Sequence, residues 1–497
     1  MPKAATSIIG RLLGQLSTAR VLTAAAIAWV WFLAVPSMVP GVTSDRGIYI
    51  AVLERLLAGD RLYVDVIDNK DPLFYWLQLI PHSISPLLAV TLEVGYVLVC
   101  SFAVRGILRR LRIDSLVATI AAFALVPGIL TGLCYIAGMT HLPGIAFLLV
   151  SVWAFVAKKP VVSGIFAGLL FFTKIVLFPF APLVWLLLAS NRRWMFPRYL
   201  LGLTSAGLVV GLTLLVRGEL GGYLRMLRFN FVYSQGAFLP KDTLKFVGHF
   251  EFLAKLPAFV PILSVSALLA LAIGWLWFNA RKSASSAFKG WALLTLSSGI
   301  GAILVLGVSG FWLHHLQVLY IPLIVGLITL LIYGRDSLGT QKRDARWIAA
   351  ILVVLSLSVS ALNVDRLGGF DQSKAVAGYY LQSSTLANNE AKALLSVAAS
   401  GSYARLGDNS SPAASIGVRS WRLACPTFQQ YEFDTSATLN GALKCIETKR
   451  PVLLLAAFED SPGRKPMHKF YVSVQRLIMS HYTCQRSLGL AVCVPRL

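Results

Sequence analysis

Charge is what this chain has little of. Asp, Glu, Lys and Arg make up 13% of its 497 residues, while 57% are hydrophobic. Soluble domains carry about 25% charged residues, so an ordinary water-facing surface is excluded. Acidic residues are scarcer still, 22 against 45 Lys and Arg, for a net charge of +23. Cysteine is sparse, and none of the six falls in a CxxC or Cys/His ligand spacing, which argues against a zinc site. No internal repeat and no low-complexity segment is visible. The first apolar run is not preceded by a short n-region and lacks a small-residue cleavage site, so no cleavable signal is expected.

Apolar runs of about 20 residues recur as far as residue 364, each long enough for roughly 30 Å of hydrocarbon. The basic residues fall in the N-terminal tail and in alternate loops: Arg105 to Arg112, Lys158-Lys159, Arg192 to Arg198, Arg281 to Lys289 and Arg335 to Arg346. That is the positive-inside pattern. The positive charge therefore sets topology, and no nucleic-acid partner is expected. The reading is a polytopic α-helical membrane protein of about eleven transmembrane helices with a cytoplasmic N-terminus, placed in the plasma (inner) membrane. Residues 1–364 form the membrane module, with a first outer loop at 40–85. Residues 365–497 form a small extracytoplasmic α/β domain. There a helix is expected near 372–399, another at 436–449, a strand in PVLLLAAF, a helix at 466–481 and a strand in LGLAVCV. Cys425, Cys445, Cys484 and Cys493 lie in this part and permit two disulfides. Cys425 with Cys445 and Cys484 with Cys493 is the sequence-local choice among three connectivities. Cys100 and Cys134 sit in apolar spans as packing residues.

The local exception to the positive charge is Ser44 to Trp76, SDRGIYIAVLERLLAGDRLYVDVIDNKDPLFYW. It holds Asp45, Glu54, Asp60, Asp65, Asp68 and Asp71 against Arg46, Arg55, Arg61 and Lys70. Tyr49, Val52, Leu53, Leu56 and Leu57 follow a helical stripe, and Arg55 falls off it. Ser44 or Asp45 can cap this helix and Gly59 can end it. Such a helix is expected to lie in the membrane interface. Residues 73–85 should form a short helix or bend broken by Pro81 and Pro86.

The segment GIFAGLLFFTKIVLFPFAPLVWLLL, 164–188, lies between two basic loops that belong on one side. It must go in and come back, as two short helices meeting near Thr173-Lys174. An ammonium at such a tip needs an anion, either a lipid phosphate or a carboxylate such as Asp68 or Glu93. Glu93 itself lies inside a span, either hydrogen-bonded between helices or in a catalytic role. His141 opens a span after a short turn, where it is either solvated or assists a phosphate or an acceptor. Arg225 and Arg228 share a helix face with interleaved aromatics, which an interfacial belt would explain.

The order of span, Asp45, helix with an A-G-D ending, L-Y-x-D, D-x-K-x-P-L-x-Y-W and next span resembles the C-type glycosyltransferase superfamily (GT-C). It is most similar to the bacterial branch related to protein O-mannosyltransferases and the lipid A aminoarabinose transferase. In this chain Asn69 stands where relatives often have Glu or His, Asp71 where they often have Pro, and Arg46 where they often have a second acid. The G-x-x-x-G-L-x-x-x-T-K pattern ending at Lys174 also recurs there, and His315 lies seven residues before Pro322, as a His does in relatives. The resemblance implies transfer of a sugar (hexose or pentose, mannose favoured) from a polyprenyl phosphate to a hydroxyl acceptor on a glycan, lipid or protein, at the outer face. It implies Asp45 as general base and Lys70, Lys174 and His315 as ligands of the donor phosphate. Asp68, Tyr49, Asn230, Tyr233 and His141 would line the cavity. No cofactor or metal is required, because the leaving group is already a phosphate. A flippase or a binding scaffold for lipid-linked saccharides is the alternative. Transporters usually show repeated halves, and a scaffold would tolerate loss of Asp45.

Overall fold

A computed structural model describes residues 18–38, most of 49–84, 86–131, 138–188, 192–238, scattered positions between 266 and 278, 285–309, 313–338, 392–406, 421–425, 436–455, 465–487 and 490–496. In chain order the helices are α1 (Thr18–Met38), α2 (Pro72–Ile84), α3 (Pro86–Arg110), α4 (Ser115–Ile120), α5 (Val126–Leu130), α6 (His141–Val156), α7 (Pro160–Phe171), α8 (Phe180–Leu188), α9 (Arg192–Val216), α10 (Leu220–Phe238), α11 (Ser286–Ser309) and α12 (Tyr320–Leu338). A π turn, Ala121–Leu125, joins α4 to α5. Two 3₁₀ turns, Ile175–Leu177 and Leu313–Leu319, precede α8 and α12.

Local chemistry sets several boundaries. Asp114 caps α4 by accepting the N–H groups of Leu116 and Val117 at 2.8 and 3.2 Å. Proline opens α2, α3 and α7, where its missing N–H costs nothing. Pro81 lies inside α2, so the expected break is a single helix that runs on to Ile84.

Among the described residues four helices are long and apolar enough to cross a bilayer: Thr91–Arg110, Trp194–Val216, Ser286–Leu306 and His315–Ser337. Five shorter apolar helices accompany them among the described residues. Residues 347–364 and most of 258–279, both in the expected membrane module, Cys134 and most of the 372–399 segment lie outside the described residues. Leu201, Leu208, Val209, Leu212 and Leu215 on α9 and Ile300, Ile303 and Leu304 on α11 are exposed. An apolar face that large is at home against hydrocarbon. The main core joins α3, α6, α8, α11 and α12.

The re-entrant hairpin is α7, a turn at 172–174, the 3₁₀ turn and α8. Twelve residues of α7 rise about 18 Å, short of a bilayer, so the tip ends within the protein. It is fixed by backbone-to-backbone packing. A Cβ on Gly164 would stand 2.0 Å from the Tyr199 carbonyl oxygen of α9, and one on Gly202 would stand 2.0 Å from that of Val161. Small residues facing each other let two membrane helices touch along their main chains.

In the C-terminal part β1 (Gly401–Leu406), β2 (Trp421–Leu423), β3 (Val452–Leu455), β4 (Tyr482–Ser487) and β5 (Leu490–Pro495) form one sheet, in the order β2-β1-β3-β5-β4. β1 is parallel to β2 and β3, and β5 is antiparallel to β3 and β4. Helices α13 (Ser436–Lys449) and α14 (Lys465–His481) cover one face through Leu439, Ile446, Phe470 and Val474. Leu394 and Trp421 lie with Tyr403, Leu454 and Val492 in the core of the other. Disulfides join Cys425 to Cys445 and Cys484 to Cys493, and Cys100 is buried and free.

Candidate active site

Three separate parts of the chain converge at one end of the helices: the first loop, the hairpin tip and the start of α10. Asp45 and the side chain of Tyr233 lie outside the described residues.

Tyr49, Val52, Leu53 and Leu56 are buried as one stripe, but against protein rather than in the membrane interface. They share a core with Phe74 and Tyr75 of α2, Val210 and Leu214 of α9, and Tyr223 and Met226 of α10. The Tyr49 ring stands edge-on to those of Phe74 and Tyr75, with centroids 5.0 and 6.2 Å away. Leu57, expected on the stripe, is exposed, and Arg55, expected off it, is buried. The reason is the helix end. Gly59 takes φ +96° and turns the chain back, the N–H of Asp60 donates to the Arg55 carbonyl at 3.0 Å, and Arg55 Nε then donates to the Asp60 carboxylate at 2.6 Å. A buried guanidinium is tolerated when paired in this way.

The chain next folds onto the α9–α10 junction. Leu62 N–H donates to the buried Glu219 Oε1 at 3.0 Å, and Arg217 Nε donates to the same oxygen at 2.8 Å. Tyr63 adopts φ +64°, and its carbonyl lies where a Cβ on Gly222 would come within 2.5 Å, so glycine is required at 222 for this approach. Tyr63 Oη donates to the Lys70 carbonyl at 2.6 Å. Asp68, buried, accepts the Lys70 N–H at 2.8 Å in an Asx turn. Asn230 Nδ2 on α10 donates to the Asn69 carbonyl at 2.8 Å. Lys70 Nζ donates to Asn69 Oδ1 at 2.7 Å and lies 5.8 Å from the Tyr49 ring centroid. That distance suits a cation–π contact.

At the centre is Asp71, a residue not singled out by the sequence reading. Its Oδ2 accepts the Ile175 N–H of the hairpin tip at 3.0 Å, and Tyr223 Oη of α10 lies 3.4 Å from Oδ1 as a donor. Beside it the Leu73 N–H donates to the Phe172 carbonyl at 3.0 Å. Burial pushes the Asp71 carboxyl up to about 6, against the opposing pull of the Ile175 N–H, Lys174, Tyr223 and Lys70. Tyr223 and Tyr63 are raised by burial first, and further by Asp71.

Lys174 is half-buried. It lies close enough to Asp71 to pull that carboxyl down, a neighbour the sequence did not suggest beside the lipid phosphate, Asp68 or Glu93. Its Cβ is also the atom a Cβ on Gly144 would meet at 3.0 Å, so α6 rests against the tip. One turn earlier on α6 is His141. It is buried, unlike the solvated histidine of one sequence reading, and its ring centroid is 5.5 Å from that of the half-buried His315. Glu93 is buried within α3. Lys70, Lys174, Tyr49, Asp68 and Asn230 thus gather around Asp71, and His141 and His315 form a pair beside the tip. Among the described residues no three His, Cys, Asp or Glu side chains form a group that could hold a metal ion.

Neither Asp71 nor Tyr223 stands out in the sequence: Asp71 precedes Pro72 and reads as an ordinary helix cap, and Tyr223 follows Gly221-Gly222, whose closeness to the loop is a tertiary matter.

No family model and no curated protein matches the chain. Among solved structures it is similar to ArnT from Cupriavidus metallidurans bound to undecaprenyl phosphate, at 16% identity and a TM-score of 0.45, over 95% of this chain and 97% of that one. It is likewise similar to ArnT from Cupriavidus metallidurans in the apo state, at 16% identity and a TM-score of 0.46, over 99% of this chain and 98% of that one. At that identity and overlap the function has to be read from the chain's own site.

Proposed function

We propose that this chain is an integral membrane glycosyltransferase of the GT-C type, which moves a hexosyl or pentosyl group, mannose favoured, from a polyprenyl-phosphate donor to a hydroxyl acceptor. The observation that carries the reading is the meeting of Lys70 and Lys174 around the buried carboxylate of Asp71. Two cations from segments about a hundred residues apart, at one end of apolar helices, suit a phosphate on a lipid tail.

The chemistry needs few parts. The anomeric C–O bond to the phosphate breaks, and negative charge grows on the phosphate oxygen. Lys70 and Lys174 stabilise that charge, and His315 with His141 offers ring N–H donors beside them. The acceptor hydroxyl must lose a proton as its oxygen attacks, and Asp45 is the base for it. Asp45 lies four residues before Tyr49, at most about 14 Å along the chain, and the Tyr49 ring lies beneath Lys70 Nζ. A chain segment of that length allows the base to stand beside the cation site. Direct attack inverts the anomeric centre. No cofactor enters, since the phosphate is a leaving group without further activation. The alternation of basic loops supports a site at the outer face of the plasma membrane.

The test is sugar transfer from a panel of radiolabelled polyprenyl-phosphate sugars, with membranes holding the wild-type chain, Asp45→Asn or Lys174→Met. Transfer by the wild type that falls by two orders of magnitude or more in Asp45→Asn, with the protein still inserted, supports enzyme and base together. Equal transfer by Asp45→Asn removes Asp45 from the mechanism. No transfer from any donor, together with movement of a lipid-linked saccharide across the bilayer, replaces the enzyme with a flippase.

A further inference from the structure

We propose that Asp71 is a positioning residue of the donor site, whose carboxylate clamps the hairpin tip and α10 to the first loop so that Lys70 and Lys174 face the same phosphate. The inference rests on the donor-site reading above and adds to it a residue that would not itself touch substrate.

The geometry divides the carboxylate between two elements. Oδ2 takes the Ile175 N–H, one residue after Lys174, and Oδ1 faces Tyr223 Oη. The N–H of Ile175 needs such a partner because Ile175 opens the 3₁₀ turn and no earlier helical carbonyl serves it. Asp71 is one residue after Lys70 and Ile175 one residue after Lys174, so a single hydrogen bond ties together the two backbone positions from which the lysines project. Leu73 N–H to Phe172 adds a second backbone tie on the same side. The groups that face the carboxylate are Lys70 from its own loop, Lys174 and the Ile175 N–H from the tip and Tyr223 from α10. Tyr63 lies near enough to feel its charge. The charge also serves the empty site. Two lysines held together repel, and an anion beside them lets them stay assembled until the donor phosphate arrives. Burial raises the carboxyl into the range where it titrates near neutral pH, so its charge, and with it the hold on the two lysines, should be lost in mild acid.

The test uses the full chain in detergent with two independent readouts. The first is amide hydrogen exchange over residues 172–178 in wild type, Asp71→Ala, Asp71→Asn and Tyr223→Phe, with no donor present. The second is KM and kcat for a polyprenyl phosphomannose between about pH 5 and pH 8. That phosphodiester keeps one charge throughout the range, so it adds no titration of its own. Exchange in the tip should rise about tenfold in Asp71→Ala and stay near wild type in Asp71→Asn, which keeps an acceptor. Donor KM should rise about tenfold in Asp71→Asn with kcat changed less than about threefold, and the rise in wild-type KM toward acid should be flattened in that variant. Titration of His141 and His315 is common to both proteins and cancels in the comparison. Tyr223→Phe, which keeps the carboxylate and the fold, should give a smaller rise in KM. Unchanged exchange in Asp71→Ala overturns the clamp. Parallel pH profiles of KM in wild type and Asp71→Asn overturn the positioning role. A wild type that handles no donor removes the reading beneath the proposal, and with it the donor half; the exchange arm then still decides the clamp.

Discussion

The backbone N–H of Ile175 donates to the carboxylate of Asp71 at 3.0 Å across 104 positions of sequence. This bond joins a loop rich in acids to a hairpin that carries a lysine into the apolar body of the protein. Neither segment could hold its charge alone. The loop would bury Asp71 without a donor, and the hairpin would end on an unsatisfied N–H beside an ammonium. Together each supplies what the other lacks, which is the condition for burying polar groups at all.

The burial of Asp71 has a thermodynamic sign. Its carboxyl titrates near 6 in the fold against an ordinary 3.8. Between those values the folded chain binds more protons than the unfolded one, so this group's contribution falls as pH rises through the window, and above it the ionised form costs the fold about 3 kcal/mol at most. Asp71→Asn removes the cost. Thermal midpoints in detergent should therefore show Asp71→Asn gaining on wild type from about pH 4 to pH 7, with no further gain above. A constant difference across that range would mean that the carboxyl does not titrate there.

The α7–α9 contact is tested by its glycines. Gly164→Ala and Gly202→Ala each place a Cβ 2.0 Å from a carbonyl oxygen that belongs to a facing helix. Backbone cannot move aside as a side chain does, so each should cost about 1–3 kcal/mol. Gly207→Ala and Gly211→Ala on α9 meet nothing within 4 Å and should gain up to about 1 kcal/mol from helix propensity. Thermal midpoints of the four variants check the contrast, and equal effects at all four positions would contradict the close approach.

Spacing made some of this molecule legible and left the rest hidden. Long apolar runs and alternating basic loops mark the membrane helices because hydrocarbon demands both. Strands β3 and β5 are visible as continuous apolar runs because both faces of the inner sheet are covered. Strand β4, YTCQRS, is mostly exposed at the sheet edge and carries no such run, and β1 holds the buried Arg405 next to its last residue. Lys174 stands out as a charge in an apolar segment. Asp71 does not, because Asp before Pro is what an ordinary helix start looks like, and its real partners lie 104 and 152 residues away. The exchange of Arg55 for Leu57 on the buried stripe has the same origin. Periodicity cannot foresee that a turn at Gly59 brings Asp60 back to pair with Arg55.

The two disulfides should differ in weight. Cys425–Cys445 closes a loop of 20 positions between the segment after β2 and α13, and chain entropy assigns such a loop about 3 kcal/mol. Cys484–Cys493 joins directly opposed residues of β4 and β5, whose pairing already holds them in register. Replacing both cysteines of the first pair by serine should lower the midpoint of the C-terminal sheet more than replacing both of the second. Midpoints of the full chain carrying each double variant test the order, and the reverse order would show that the β4–β5 pairing depends on its bridge.

Glu219 is the other buried carboxylate that anchors the first loop. Its Oε1 receives the Leu62 N–H and Arg217 Nε, and its Oε2 is buried with no hydrogen-bond partner among the described residues. Removing the side chain strands the Leu62 N–H and leaves the Arg217 guanidinium without its counter-charge, so Glu219→Ala should cost about 3 kcal/mol. Glu219→Gln keeps an acceptor for both donors and should cost about 1 kcal/mol. Arg217→Ala should cost less again, because its side chain is 42% exposed and water can replace it. The loop itself reports the loss. Limited proteolysis between residues 60 and 70 should speed up in the same order, Ala, then Gln, then the arginine variant. If Arg217→Ala proved as damaging as Glu219→Ala, the ion pair rather than the loop N–H would be what Glu219 supports, and the first loop would be held chiefly by its ties to the hairpin.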